Sequence, residues 1–588
     1  MFRILKKLQT KDWIFVLFSI TFIVVQVWLD LKLPDYMTEI TQLVQTPDSK
    51  MSDILIAGGY MLLCAMGSLL GSFIVGFFAA QIAAGLSMRL RDDVYHKTMS
   101  FSMEEMNHFS TASLITRSTN DITQIQNFIA MGLQALIKAP ILAVWAIVKI
   151  AGKSWQWTAV TGGAVVILVL MLGTIVIFAI PKFNVVQKLT DNLNRVTREN
   201  LTGIRVVRAY NAEKYQEEKF EQANKEVTDT NLFIYRIMSV MNPGMSLIMS
   251  GLSLAIYWVG AYLINDAVLP DKLTLFSDMV VFSSYSMQVI MAFMMLTMVF
   301  IMLPRASVSA KRILEVLETK TNIKEGTKTK SQSNKTGQVE FCHVSFKYPD
   351  AAEYVLHDVS FKANKGETVA FIGSTGSGKS TLINLVPRFY DVSEGEVLVD
   401  GINVKEYTQE VLYNKLGYVP QKAVMFRGTV TSNVAYGENG KSEINSETVK
   451  NAISVAQAKE FVEKMDGTYG AAISQGGTNV SGGQKQRLAI ARAIARKPEI
   501  YIFDDSFSAL DYKTDRILRS ALKEEKSGAT SLLVAQRIGT IIDADRIIVL
   551  DEGKVVGNGT HSELLKNCDI YREIAESQLS KEEIANVR

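Results

Sequence analysis

Three short stretches of this chain carry residue types and spacings suited to phosphate chemistry. Gly373-Ser374-Thr375-Gly376-Ser377-Gly378-Lys379-Ser380 fits the pattern G-x-x-x-x-G-K-[ST]. Its glycines let backbone N–H groups wrap phosphate oxygens, Lys379 supplies a point charge for the outer phosphates, and the Ser380 hydroxyl can ligate Mg²⁺. Thr381-Leu382-Ile383 then opens a helix whose N-terminal dipole favours an anion. The second stretch, Ile500-Tyr501-Ile502-Phe503, is an apolar strand ending in Asp504. A carboxylate at that tip can hold Mg²⁺ beside the phosphate loop. The third, Ser481-Gly482-Gly483-Gln484, is another glycine-containing turn ahead of a helix and so another N-terminus fit for phosphate.

Such loops need a parallel sheet to position them. Val339 to Phe346 alternates like a strand, and Thr368 to Ile372 is a buried apolar run leading straight into the phosphate loop. The rest of the chain is of another kind. Lys, Arg, Asp and Glu make up 52 of residues 1–320, or 16%, and 69 of residues 321–588, or 26%. The average of 21% describes neither part. A membrane part precedes a soluble part, with Glu318 to Gln338, rich in Lys, Thr, Ser and Asn, as the linker. The expected domains are residues 1–317, a linker over 318–338, and residues 339–588.

A span needs about 20 apolar residues for a ~30 Å hydrocarbon core. Six candidates run from Trp13 to Leu29, Ile54 to Met88, Asn127 to Gly152, Ser154 to Pro181, Ile237 to Asn265 and Met279 to Pro304. The second is charge-free for 35 residues, about 52 Å at 1.5 Å per residue, so some helices should continue past the bilayer. Arg89 to Gln126 and Lys182 to Arg236 are long, polar, helix-like connections carrying Arg89, Arg91, Lys97, Arg117, Lys182, Arg195, Arg198, Arg205 and Arg208. The positive-inside rule places both, with the two termini and the soluble part, in the cytoplasm. Lys149 and Lys153 run against that rule without overturning it. Lys138 and Lys149 can act as cavity charges or snorkel to an interface. The sixth span holds Met279, Met287, Met291, Met294, Met295, Met298 and Met302, which suit either helix packing or a soft lining for varied apolar ligands. A net charge of +3 gives no support to nucleic-acid binding, and Cys64, Cys342 and Cys568 fit neither a metal site nor a disulfide framework. The basic stretch Met1 to Lys11 reads as a cytoplasmic flank of the first span, not a cleaved signal.

The phosphate loop, the Ser481–Gln484 turn and the Asp504 strand, in that order and spacing, resemble the ATP-binding cassette (ABC) transporter family. The family's signature motif reads LSGGQ, and this chain has Val480 at its first position. The resemblance implies further roles. Tyr348, in Phe346-Lys347-Tyr348-Pro349, matches the aromatic that stacks on adenine, and Gln421, in Tyr418-Val419-Pro420-Gln421, matches the glutamine that reaches Mg²⁺. Ser508-Ala509-Leu510-Asp511 matches the loop that communicates across a dimer. Residues from His108 to Asp121 and from Glu199 to Tyr210 resemble the family's two cytoplasmic connections. The implied fold is multidomain: an all-α six-helix transmembrane domain followed by an α/β P-loop nucleotide-binding domain. The implied cofactors are ATP and Mg²⁺. The implied location is a bacterial cell membrane, multi-pass.

Two positions depart from an active ATPase of that family. Asp505 stands where the family has a water-polarising glutamate, one methylene shorter. Gln536, after Val534-Ala535, stands where the family has a switch histidine. A glutamine can donate a hydrogen bond but carries no proton charge at neutral pH. With Ser481, Gly482, Gly483 and Gln484 intact, the resemblance implies a chain whose own site is degenerate and whose signature completes a competent site on a different half-transporter. The expectation is a heterodimeric exporter of hydrophobic, multidrug-type compounds, with lipid or peptide cargo, or an ATP-gated channel or regulatory subunit, as the alternatives.

Overall fold

The computed structural model describes residues 1–46, 49–151, 155–330, 335–349, 351–437, 444–525 and 528–579. The junction expected at Gly152 to Ser154, part of the expected linker and the last residues of the soluble part lie outside this set. Contacts divide the chain into two units, Met1–Met99 with Thr111–Thr319 and Ser100–Ser110 with Lys320–Arg588.

The first unit is helical: α1 (Thr10–Gln45) and α2 (Met51–Met99), then, beyond the short α3 (Met103–Phe109) of the other unit, α4 (Thr111–Ala151), α5 (Trp155–Thr202), α6 (Ile204–Ala209), α7 (Glu213–Ser239), α8 (Met241–Asp266) and α9 (Leu269–Glu318). Among the described residues, six stretches are long and apolar enough to cross a membrane, with α7 and α8 together forming the fifth. The 49 residues of α2 extend about 74 Å, more than twice a ~30 Å core. Helices are the natural outcome, because a backbone in hydrocarbon must satisfy its own hydrogen bonds. The third helix begins at Thr111, well before its apolar stretch, and passes through two π-helical turns, Arg117–Asp121 and Phe128–Gly132.

The core of this unit gathers Ile23, Val27 and Leu31 of α1, Ala139 and Ala143 of α4, Trp157 of α5, Ile256 of α8, and Phe282 and Tyr285 of α9. Several polar groups within it are partnered across helices. The Trp157 indole donates to the Ile256 carbonyl at 3.1 Å, and Thr161 and Ser286 share a hydrogen bond of 3.0 Å. The two lysines of the third span are ion-paired to α1: Lys138 to Asp30 at 3.1 Å and Lys149 to Asp35 at 2.8 Å. Ser68 of α2 also donates to Asp30, and the Tyr285 hydroxyl to Asp35. Two charge pairs thus join α4 to α1, and the Tyr285 hydrogen bond joins α9 to it. Removing one partner of a secluded pair costs about 3–5 kcal/mol, because the other charge is stranded. Lys138→Met should lower the melting temperature in detergent micelles, and adding Asp30→Leu should restore most of it. A single variant as stable as the parent would show the pair to be superficial.

The second unit is α/β. β1 (Val339–Phe346), β2 (Leu356–Ala363), β4 (Glu394–Val399) and β5 (Ile402–Asn403) form an antiparallel sheet in the order β2-β1-β4-β5. β3 (Thr368–Gly373), β6 (Leu416–Val419), β7 (Ile500–Asp504), β8 (Thr530–Val534), β9 (Arg546–Asp551) and β10 (Lys554–Gly559) form a second sheet in the order β10-β9-β3-β8-β7-β6. All its pairings are parallel except β9 with β10. α10 (Lys379–Asn384) follows β3, and α11 (Gly482–Ala495) precedes β7. Phe341, Phe371, Leu382 and Ile502 pack in one core, and Leu488, Ile490, Phe503 and Val549 in the other. Strands buried on both faces explain the unbroken apolar runs of β3 and β7.

Candidate nucleotide site

Parallel pairing brings the chemistry to one edge. Val534 of β8 lies opposite both Phe371 of β3 and Asp504 of β7, and Val419 of β6 lies opposite Phe503. Gly373, Asp504 and Asp505, Gln536 and Gln421 therefore emerge together at the carboxyl ends of four neighbouring strands. That is where open α/β sheets take ligands.

The phosphate loop turns tightly between β3 and α10. A Cβ at Gly373 would collide with the Leu550 carbonyl, and Gly378 has φ +93° with the Val355 carbonyl 3.0 Å from where a Cβ would sit. Neither position tolerates a side chain. Lys379 is buried, its ammonium donating to the carbonyls of Gly373 at 2.9 Å and Ser374 at 2.6 Å and to the Ser377 hydroxyl at 3.2 Å. Burial lowers its pKa, against the pull of Asp505 and Asp504. The Ser380 hydroxyl donates to Asp504 at 2.7 Å. Burial pushes the Asp504 carboxyl up; the Ser380 bond and Lys379 oppose this and the neighbouring Asp505 adds to it. A buried cation, a turn closed to side chains and a hydroxyl–carboxylate pair are a donor set that fits a magnesium–triphosphate group.

Beside it, Asp505 is clamped. Its Oδ2 accepts the Gln536 amide at 2.7 Å and the Gln421 amide at 3.2 Å. The backbone at Asp505 is left-handed, φ +46°, and its N–H donates to Val534 at 3.1 Å. Aspartate is among the few residues enriched in that conformation. Burial raises the pKa of Asp505, while hydrogen bonds from Gln421 and Ser508 and the charges of Lys379 and Arg537 hold it down. Tyr348 lies close by, its hydroxyl hydrogen-bonded to Thr381 at 2.9 Å.

The Ser481–Gln484 turn stands apart in its bonding. Ser481 caps α11 in a reciprocal box, the Gln484 side chain accepting the Ser481 N–H at 2.8 Å and the Ser481 hydroxyl accepting the Gln484 N–H at 3.3 Å. Gly482 has open space around it, and a Cβ at Gly483 would press on the Ala509 carbonyl at 3.2 Å.

Two matches now bear on what this assembly is. Residues 16–293 match the ABC transporter transmembrane region and residues 356–508 the ABC transporter family. An uncharacterized ABC transporter ATP-binding protein of Mycobacterium tuberculosis is 40% identical over 521 residues, 88% of this chain and 87% of that one. The chain belongs to the ABC transporter family. Other relatives of this ABC transporter include a lipid A-core flippase of Pseudomonas aeruginosa, 31% identical over 84% of this chain and 80% of that one. In fold it is similar to a bacterial Atm1-family ABC exporter with ATP bound, at a TM-score of 0.81 and 24% identity, over 96% of this chain and 99% of that one. Six apolar helices followed by an ABC ATP-binding domain make it a multi-pass membrane protein with bacterial relatives.

Some contributors to the site carry no sequence motif. Gln578 donates to the Gln536 carbonyl at 2.9 Å and accepts the Ile538 N–H at 2.8 Å, bracing the turn that presents Gln536. Arg537 reaches the carbonyls of Ser508 at 3.2 Å and Leu510 at 3.4 Å, joining that turn to the Ser508–Asp511 loop. Tyr390, which is not itself one of these contributors, packs edge-on against Tyr348 with ring centroids 5.2 Å apart.

Proposed function

We propose that this ABC transporter chain is one half of a heterodimeric exporter and that its own site holds ATP while hydrolysing it slowly. The observation that carries this reading is the clamp on Asp505. The carboxylate in the place of a general base is one methylene short, and both neighbouring amides, Gln421 and Gln536, are directed at it. Base efficiency depends on reach to the attacking water, and loss of a placed base costs about 10²–10⁴-fold. In this reading Tyr348 stacks on the base, the backbone from Gly373 to Gly378 and the side chains of Lys379, Ser380 and Thr381 take the phosphates, and Ser380, Gln421 and Asp504 hold Mg²⁺. The metal, when bound, neutralises charge on the phosphate oxygens.

The capped turn Ser481–Gln484 is intact and presents a helix N-terminus, which we assign to the ATP of a different half-transporter subunit. ATP binding closes the two nucleotide domains, the cytoplasmic connections carry that closure to the spans, and hydrolysis at the partner's site resets the cycle. Slow turnover here keeps ATP in place longer and biases one conformation. Met291 and Met298 of α9, both about half exposed, support a hydrophobic cargo. The similarity to a lipid A-core flippase favours a second reading, a lipid.

Purified chain in nanodiscs should hydrolyse ATP about 10²–10⁴-fold more slowly than the same chain co-purified with its partner. Equal rates from the chain alone would remove the heterodimer reading.

A further inference from the structure

The nucleotide unit contains one segment of the first long connection, Ser100–Ser110. Within it, α3 is fixed by Ser102 and Glu105, whose side chains cap it reciprocally. Glu105 also accepts the Asn322 N–H at 2.9 Å, and Glu104 accepts the Asn322 side-chain amide at 2.7 Å. The next turn of α3 offers Asn107, whose amide donates to the Tyr390 hydroxyl at 3.3 Å. Tyr390 in turn meets Tyr348 with the rings at 90°, and a second aromatic, Phe346, with centroids 5.7 Å apart. Tyr348 closes the series through Thr381, the residue after Ser380. One unbroken chain of contacts therefore runs from the phosphate loop, through an aromatic pair in a preferred edge-to-face arrangement, to the connection between α2 and α4.

We propose that Tyr390 is a positioning residue that reports the nucleotide base on Tyr348 to α3. This rests on Tyr348 being the ring that receives the base. Stacking on one face of Tyr348 restricts that ring and, through the edge contact, Tyr390. The Tyr390 hydroxyl is then held where Asn107 can donate to it. A ligand shifts a second site only through an interaction that differs between its bound and free states. Here that interaction is the Asn107–Tyr390 hydrogen bond. A phenol keeps its proton at neutral pH, and its oxygen accepts from Asn107.

The test uses the full chain in lipid nanodiscs with MgATP as the probe, reading amide hydrogen exchange over residues 103–109 and, separately, ATP affinity. Saturating MgATP should slow exchange over 103–109 by about two- to ten-fold, the range of one net hydrogen bond. Tyr390→Phe keeps the ring and removes the hydroxyl; Asn107→Ala removes the donor. Each should abolish the slowing while ATP affinity stays within about two-fold, and the double variant should add nothing further. A purely packing role for Tyr390 would leave the slowing intact in Tyr390→Phe, and that result overturns the proposal, as does an absent response in the parent chain. Tyr348→Ala should weaken ATP binding. Unchanged affinity there removes the base-stacking role and this inference with it. Weakened affinity there, with slowing preserved in Tyr390→Phe, removes the inference alone.

Discussion

Asp505→Glu combined with Gln536→His should raise ATP hydrolysis at this chain's own site by about 10²-fold or more, within the 10²–10⁴-fold that a positioned base contributes. Burial raises the pKa of Asp505, the direction that suits a base. Reach is the deficit. One added methylene advances the carboxylate by at most about 1.5 Å, the length of a carbon–carbon bond. Either change alone should achieve less. With Gln536 in place, its amide at 2.7 Å still engages the carboxylate as a donor and offers no charge to a developing anion. With Asp505 in place, a histidine at 536 would face a carboxylate that stops short of the water. The phosphate loop is untouched, so ATP affinity should hold. Glutamate is less suited than aspartate to the left-handed backbone at 505, so a small drop in melting temperature is expected. Phosphate release measured against a Lys379→Ala background isolates this site. An unchanged rate in the double variant would mean that these two positions do not set it.

What could be read in advance follows the range over which each feature is encoded. The phosphate loop, the Asp504 strand and the signature turn are each written in fewer than ten consecutive residues, and the fold places them on one edge because β3, β8, β7 and β6 are parallel neighbours. The spans were legible because hydrocarbon excludes charge, but their helices were not fully so. The third helix starts at Thr111 and not near Asn127, since polar helix outside a membrane leaves no apolar stretch to mark it. The break between α7 and α8 at Val240 falls three residues inside the expected fifth span. Long-range pairs left no local trace. Lys138 meets Asp30 across 108 positions and Asn107 meets Tyr390 across 283, and nothing near either residue announces the other. Lys138 and Lys149, which the sequence left between cavity and interface, are ion-paired to α1. The Asp505 clamp is an intermediate case. The two unusual residue types were visible, while their direct bond needed the register that sets Val534 beside Asp504.

In the assembled transporter, the two phosphate-binding parts of this chain should matter unequally. Lys379→Ala acts on the chain's own slow site. Its ammonium has three acceptors within the loop and is the buried cation there, so ATP retention should suffer. A site already about 10²-fold down contributes little to total turnover, and the complex should keep most of its ATPase activity, within about three-fold. Ser481 belongs to the other site. Replacing it by alanine would confuse two effects, because the hydroxyl also caps α11 at a worth of about 1 kcal/mol. Ser481→Asp keeps a good cap and sets a carboxylate against the triphosphate of the partner's site. Losing one preorganised group that stabilises charge in the transition state costs about 10²–10³-fold, and a like charge in its place costs no less. Ser481→Asp should therefore lower ATPase of the complex by at least about 10²-fold with little change in melting temperature. In a symmetric dimer both substitutions fall on both sites, and each abolishes turnover. Equal losses would thus make the two sites equivalent, whereas a large loss from Ser481→Asp beside a small one from Lys379→Ala is what one slow site and one fast site, only the fast one completed by this chain's signature, must give.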